Sequence, residues 1–187
     1  MKKVLLVALA AAVSLPLLAL ARHVELTDPD DTKGLLDIRR VTVAGSRRAP
    51  TWTIATGARW TAEQMWDTGF LVVKIDTFGT RRADYYAIVN SDGRKFHGSL
   101  YRDRKKKPDR RLRGVRVDRA DRRSLTIRIG LRELRRRESR IYRWYATTLF
   151  ASDNCRSTCI DRAPDQGAIS EPEPAQTPTP TPSVPTP

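Results

Sequence analysis

Residues 84–102 read DYYAIVNSDGRKFHGSLYR, and this stretch decides the fold class. Apolar and polar residues alternate on both sides of the turn Asn90-Ser91-Asp92-Gly93. Alternation with a period of two indicates half-buried β-strands, and the Asp-Gly pair accepts the positive φ that tight turns require. The stretch therefore predicts two antiparallel strands joined as a hairpin.

Runs of the same kind lie on both sides of this hairpin. One helical turn, capped at Thr61, is indicated between two of them. A helix also stays possible at residues 131–137, which are rich in Arg and Glu. The pattern predicts an all-β fold, a single antiparallel β-sandwich of jelly-roll-like form. The further strands are predicted at residues 36–43, 51–58, 70–77, 115–119, 124–131 and 140–150.

The chain begins with a leader that is typical of exported proteins. Positive residues at the start precede an apolar run at residues 4–18 and the small residues Ala19 and Ala21. This pattern predicts a cleavable signal peptide at residues 1–21. A membrane anchor is the alternative, but the run is shorter than the roughly 20 apolar residues that a spanning helix needs. We expect a secreted, extracellular protein, free or associated with the cell wall, with no transmembrane segment after cleavage.

Residues 171–187 hold seven of the twelve prolines. Proline fixes φ and removes a hydrogen-bond donor, so this composition predicts a disordered, Pro/Thr-rich tail. One interpretation is a stalk that holds the domain away from a surface, and the alternative is a disordered end with no role. The remaining residues, 22–170, have the length of one domain.

Cys155 and Cys159 are the two cysteines of the chain. In an exported protein, two cysteines this close together predict a disulfide. A zinc site is the alternative, but Cys-x-x-x-Cys with His23 and His97 elsewhere lacks the usual ligand spacing.

Positive charge is concentrated in one part of the sequence. Residues 102–143 carry nineteen Lys or Arg and six Asp or Glu, so that they hold +13 of the net charge of +14. Such a surface suits an anionic cell-wall polymer or another polyanion, and the alternative is a solvated face that serves solubility. Nucleic acid is less expected, because no aromatic residues lie within the basic loop to stack on bases. The predicted ligand-binding residues of that loop are Arg104, Lys105, Lys106, Lys107, Arg110 and Arg111.

The four tryptophans divide into two pairs. Trp52 and Trp144 lie within predicted strands, where aromatic residues usually enter the core. Trp60 and Trp66 flank the predicted helical turn and are the candidates for stacking on a sugar ring.

Acidic residues cluster in loops at both ends of the domain. Asp28, Asp30 and Asp31 lie near its start, Asp161 and Asp165 lie near its end, and Asp76 ends a predicted strand. Carboxylates gathered in loops suit calcium, which prefers six to eight oxygen ligands. The alternative is turn formation by Asp without an ion. The sequence predicts no other cofactor, and the metal ligands named from it are Asp28, Asp30, Asp31 and Asp76.

No catalytic signature is present in the sequence. Gly-x-Ser-x-Gly, His-Glu-x-x-His and Gly-rich phosphate loops are all absent. We therefore expect a non-catalytic module that binds carbohydrate or an anionic cell-surface polymer. The alternative is a domain for protein–protein interaction, either an inhibitor or a scaffold.

Several short motifs together resemble a known group of proteins. Residues 28–38, DPDDTKGLLDI, are similar to the opening of secreted bacterial β-sandwich domains related to DOMON-like and family 9 carbohydrate-binding modules. Residues 70–76, 127–134 and 161–167 resemble later motifs of these domains in the same order, although Gly130 replaces their usual proline. The resemblance implies a jelly-roll-like sandwich that binds glycans or small ligands.

Overall fold

A computed structural model describes residues 24–46, 49–104, 106–130, 132, 134, 142–151 and 158–170. The predicted signal peptide, the predicted tail, Lys105, Cys155 and most of residues 131–137 lie outside the described residues. The disulfide between Cys155 and Cys159 therefore stays a prediction.

The described residues form two antiparallel β-sheets, and the eight predicted strands all correspond to observed ones. The all-β sandwich is thus confirmed, while the jelly-roll form stays a prediction. The elements in chain order are β1 (Val24–Thr27), β2 (Ile38–Ser46), β3 (Ala49–Thr56), α1 (Ala62–Met65), β4 (Gly69–Asp76), β5 (Tyr85–Ser91), β6 (Phe96–Arg102), β7 (Arg110–Leu112), β8 (Val115–Arg119), β9 (Ser124–Ile129), β10 (Arg143–Phe150), β11 (Cys159–Ala163) and β12 (Ile169–Ser170).

The strand order of each sheet is set by antiparallel pairing. One sheet has five strands in the order β1-β2-β3-β9-β8. The other has seven, in the order β11-β10-β4-β5-β6-β7, with β12 also paired to β10. The strands that the sequence does not predict, β1, β7, β11 and β12, have two to five residues each.

The core lies between the sheets and consists of the inward residues of both. Trp52 of β3 and Trp144 of β10 are fully buried, as predicted. Their rings meet edge to face across the core, with centroids 6.5 Å apart. Large apolar side chains at every second strand position thus hold two sheets together, as the alternation predicts.

The predicted turn chemistry is also observed. Thr61 caps α1 through a capping box, in which its side chain accepts from the backbone of Gln64 and the Gln64 side chain accepts from the backbone of Thr61. In the hairpin between β5 and β6, Gly93 has a φ of +88°, and Asp92 Oδ1 accepts from the backbone N–H groups of Arg94 and Lys95. Within the described ranges, no helix is long and apolar enough to cross a membrane.

Candidate functional site

One row of outward side chains crosses five strands of the seven-stranded sheet. Strand register places Tyr145 of β10 beside Lys74 of β4, then Tyr86 of β5, Tyr101 of β6 and Arg111 of β7. We call these five residues the aromatic–basic row. Neighbouring strands are about 4.8 Å apart, so the row extends over roughly 19 Å.

The row points to solvent because its sequence neighbours point inward. Ala87 and Leu100, next to Tyr86 and Tyr101, are fully buried, whereas the two tyrosines are half-buried. The two tyrosine rings stack with their centroids 5.3 Å apart and an angle of 16° between their planes. Burial and a hydrogen bond to Asp109 raise the pKa of the Tyr86 hydroxyl, so it stays protonated and acts as a donor.

Tyr145 is flanked by cations from the two strands next to β10. The Lys74 ammonium lies 5.6 Å from its ring centroid, and the Arg162 guanidinium of β11 lies 4.1 Å from it. Both distances fall in the range of cation–π contacts. This end of the row therefore presents positive charge around an aromatic ring.

The predicted basic loop is joined to the row through one carboxylate. Asp109 accepts a hydrogen bond from the Tyr86 hydroxyl at 2.5 Å with Oδ2 and one from the Arg104 backbone N–H at 3.3 Å with Oδ1. Arg111 belongs to both the loop and the row, and it donates to Ser99 Oγ at 3.0 Å. The loop and the row thus form one continuous surface, on which the exposed cations are Arg104, Lys106, Lys107, Arg110 and Arg111.

The prediction that Trp60 stacks on a sugar is wrong, because its ring is buried at 2% exposure. The guanidinium of Arg119 lies 3.6 Å from its ring centroid, and Phe96 meets it edge to face at 5.3 Å. Trp60 Nε1 donates to Thr56 Oγ1 at 2.8 Å. Trp60 is therefore a core residue.

Trp66 is 61% exposed and could contact a ligand. It lies against the hairpin between β5 and β6, where a Cβ added to Gly93 would be 3.6 Å from Trp66 Cγ. The hairpin begins after Ser91, which lies five residues along β5 from Tyr86 of the row. Five strand residues span about 17 Å, so the hairpin is that far from the row. The structure therefore does not bring Trp66 together with the basic loop.

Five carboxylates from both ends of the domain meet in what we call the acidic cluster. One oxygen each of Asp28, Asp161 and Asp165 lie within 4.8 Å of one another, and the same holds for Asp31, Asp37 and Asp161. Asp161 belongs to both triads. The backbone N–H groups of Ile38 and Arg162 donate to its two oxygens at 2.5 and 2.6 Å. The cluster combines two predicted ligands, Asp28 and Asp31, with three others.

Asp28 is the most strongly perturbed member of the cluster. The residue is 8% exposed, and its Oδ2 atom is buried without a hydrogen-bond partner among the described residues. Burial raises the pKa of Asp28 to about 7, and the neighbouring charges of Asp161, Asp165, Asp31 and Asp37 add to the shift. Burial also raises the pKa of Asp161.

The other two predicted metal ligands have different roles. Asp30 pairs with the guanidinium of Arg39 at 3.1 Å and belongs to neither triad. Asp76 accepts hydrogen bonds from the backbone N–H groups of residues 78–81 and so closes the loop after β4. Thr148 of β10 pairs with Asp161 on one side and with Leu71 of β4 on the other, so Asp161 and Leu71 are at the same level in the sheet. Asp76 lies five residues further along β4, which is about 17 Å in the strand direction. The grouping of Asp76 with Asp28 is therefore wrong.

An open groove of about 1200 Å³ lies beside the acidic cluster. Asp30, Asp37 and Asp121 line it and offset half of its positive charge, and none of its lining residues is aromatic. It therefore offers charge without a stacking surface. Its cations are Lys33, Arg39, Arg40, Arg59, Arg122 and Arg123.

Comparison with protein-family models, with curated proteins and with solved structures finds no match to this chain. The resemblance to DOMON-like and family 9 carbohydrate-binding modules thus stays a prediction. The tyrosines of the aromatic–basic row were not predicted as site residues. The only signal for Tyr86 in the sequence is its position, one residue after Tyr85 in an alternating strand.

Proposed function

We propose that this protein is a secreted, non-catalytic module that binds an acidic carbohydrate polymer of the cell surface. The observation that carries this proposal is the aromatic–basic row, which continues into the basic loop through Asp109. Aromatic rings and positive side chains along one line suit a chain of sugars that carries carboxylate, sulfate or phosphate groups.

The chemistry of the row matches both parts of such a polymer. The apolar faces of sugar rings pack on aromatic side chains, and tyrosine adds a hydroxyl for hydrogen bonding. The cations pair with the acidic groups, and Arg111 has a planar fork that can bind a carboxylate or phosphate with two hydrogen bonds.

The net charge of the chain supports the same class of ligand. A charge of +14 attracts polyanions over a distance that salt limits to about 10 Å at 0.1 M. In the part of the basic loop that the structure describes, five exposed cations lie at one end of the row and extend its positive surface. Binding should therefore depend strongly on ionic strength.

The test compares the full chain on two polymers, polygalacturonate as the acidic one and dextran as the neutral one, at low and high salt. We expect binding to polygalacturonate that weakens as salt rises and no binding to dextran. Tyr101→Ala should weaken binding by about tenfold, which corresponds to roughly 1.4 kcal/mol of lost contact. Trp66→Ala is the matched control, because it removes an exposed aromatic ring outside the row. Thermal unfolding of both variants should give cooperative transitions near that of the unchanged chain, which shows that both are folded.

Equal losses for the two variants would contradict the assignment of the site to the row. Retention on dextran at high salt, abolished by Trp66→Ala alone, would mean that a neutral sugar binds at the other end of the sheet. No binding to either polymer would refute the proposed ligand class.

A protein partner is the second candidate. Register places Ile160 of β11 beside Leu149 of β10 and Phe70 of β4 on the same outer face, and Ile160 is 61% exposed. Leu149 and Phe70 are half-buried, and a contiguous apolar surface of this kind favours a protein interface. Binding to a protein through these residues would persist at high salt and would be lost in Ile160→Ser. Polymer binding would not change in that variant, because the charge of the surface stays the same.

A further inference from the structure

We propose that the acidic cluster, Asp28, Asp31, Asp37, Asp161 and Asp165, binds calcium. The proposal does not depend on the proposed polymer, although Arg162 adjoins both sites: its backbone N–H donates to Asp161 and its guanidinium contacts Tyr145 of the aromatic–basic row. Asp28, Asp31 and Asp37 lie in the segment between β1 and β2. Asp161 lies in β11, and Asp165 lies in the loop after it. Of this set, the ligands predicted from the sequence are Asp28 and Asp31.

The strongest support is the unsatisfied oxygen of Asp28. A carboxylate oxygen that is buried without a donor is costly, and more so beside other carboxylates. Asp28 is 8% exposed, and its Oδ2 has no hydrogen-bond partner among the described residues. One oxygen of the same carboxylate lies within 4.8 Å of an oxygen of Asp161 and of Asp165. A bound cation would satisfy this carboxylate and offset the repulsion between the three charges.

The donor set selects the kind of cation. All five side chains offer oxygen, which hard cations such as calcium and magnesium prefer. Asp161 belongs to both triads, so its carboxylate can be shared between two groups of ligands. Calcium accepts six to eight oxygens in irregular geometry, whereas magnesium demands near-octahedral geometry at shorter distances. Ligands from two loops and a strand favour calcium, and the exposed Asp31 and Asp165 leave a path for its entry.

The ion would join the two ends of the domain. The Ile38 backbone N–H already donates to Asp161 Oδ2 across 123 residues of sequence. Ligands at residues 28–37 and 161–165 would add a second link between the same segments. A cation that binds only the folded chain stabilises it by mass action, so calcium should raise the unfolding temperature.

The test uses the full chain after removal of metal with EGTA. Calorimetric titration with calcium should give a Kd of about 1 mM or tighter, and thermal unfolding should shift upward with calcium more than with magnesium. Asp28→Asn and Asp165→Asn should each weaken calcium binding by about tenfold or more, because each removes a charge from the first triad. Asp165 is exposed, so its variant keeps the test valid if Asp28→Asn fails to fold.

The matched control is Asp118→Asn, which changes the same charge on an exposed residue of β8. It should bind calcium as the unchanged chain does. The absence of both binding heat and a thermal shift with calcium would refute the proposal, as would equal losses in Asp118→Asn and Asp165→Asn. Equal affinity for magnesium and calcium would overturn the choice of calcium.

Discussion

Gly98 of β6 provides the sharpest test of how the two sheets pack. A Cβ at this position would lie 2.5 Å from Val115 Cγ1 and 2.5 Å from Val117 Cγ2, both on β8 of the other sheet. Real Cβ atoms essentially never approach other atoms so closely, so the two valine side chains or one of the strands must move. Gly98→Ala should therefore destabilise the protein.

The expected magnitude follows from the cost of overpacking. Inserting a methyl group into a well-packed core costs about 1–3 kcal/mol. For a domain of this size, each kcal/mol lowers the unfolding temperature by roughly 2–4 °C, so Gly98→Ala should lower it by about 2–12 °C. Gly130→Ala is the matched control, because a Cβ at Gly130 meets nothing within 4 Å. It should leave the unfolding temperature unchanged or raise it slightly.

The assay is thermal and denaturant unfolding of the two variants, followed by a rescue. In a Val115→Ala, Val117→Ala background the clashing methyl groups are absent, so Gly98→Ala should cost at least about 1 kcal/mol less there than in the unchanged chain. Equal unfolding temperatures for Gly98→Ala and Gly130→Ala would refute the packing described here. So would a cost of Gly98→Ala that does not depend on the background.

Three further predictions rest on single contacts. Thr61→Ala should remove the capping box with Gln64 and cost about 1 kcal/mol, measured by denaturant unfolding; no change would contradict a role for the cap in stability. Asp109→Asn should lower the pKa of Tyr86 without returning it to the ordinary value, because burial, the larger cause, remains; absorbance of tyrosinate against pH would show it, and an unchanged titration would contradict the contact. In EGTA, the contribution of Asp28 to stability should fall as pH rises from about 4 to about 7, because burial raises its folded-state pKa from 3.8 to about 7 and the folded state therefore favours the protonated acid. Denaturant unfolding against pH should show the unchanged chain losing stability relative to Asp28→Asn over this range, and equal pH dependence in the two would contradict the assignment.

Much of the fold could be predicted because the sheet pattern is local. Strands such as residues 51–56, TWTIAT, carry their own alternation, and the turn at Gly93 has its own chemistry. The short strands β7 and β12 have three and two residues, too few to show a period. They exist because a longer neighbour pairs with them, which is a property of the folded sheet.

The candidate sites depended on contacts that the sequence does not show. Tyr85 and Tyr86 are adjacent, so alternation alone does not tell which ring faces the core. Trp60 is buried because Arg119, 59 residues later, covers its ring. Asp28 and Asp161 meet only through tertiary structure, and for that reason the sequence suggested calcium but named Asp76 in place of Asp161.

The most direct test of the proposed function is the affinity of the full chain for polygalacturonate in two charge-reversal variants. Arg110→Glu with Arg111→Glu changes the aromatic–basic row and its loop, whereas Arg116→Glu with Arg128→Glu makes the same change on the five-stranded sheet, where these two arginines are cross-strand partners.

In water, each reversal replaces an attraction of about 1 kcal/mol at 4 Å with an equal repulsion. Allowing half of this for the motion of exposed side chains, two reversals cost about 2 kcal/mol, or roughly thirtyfold in Kd. We predict that loss for the Arg110 and Arg111 variant at low salt and a loss of less than about threefold for the Arg116 and Arg128 variant. Equal losses would contradict a specific binding surface and would mean that only the net charge of the chain attracts the polymer.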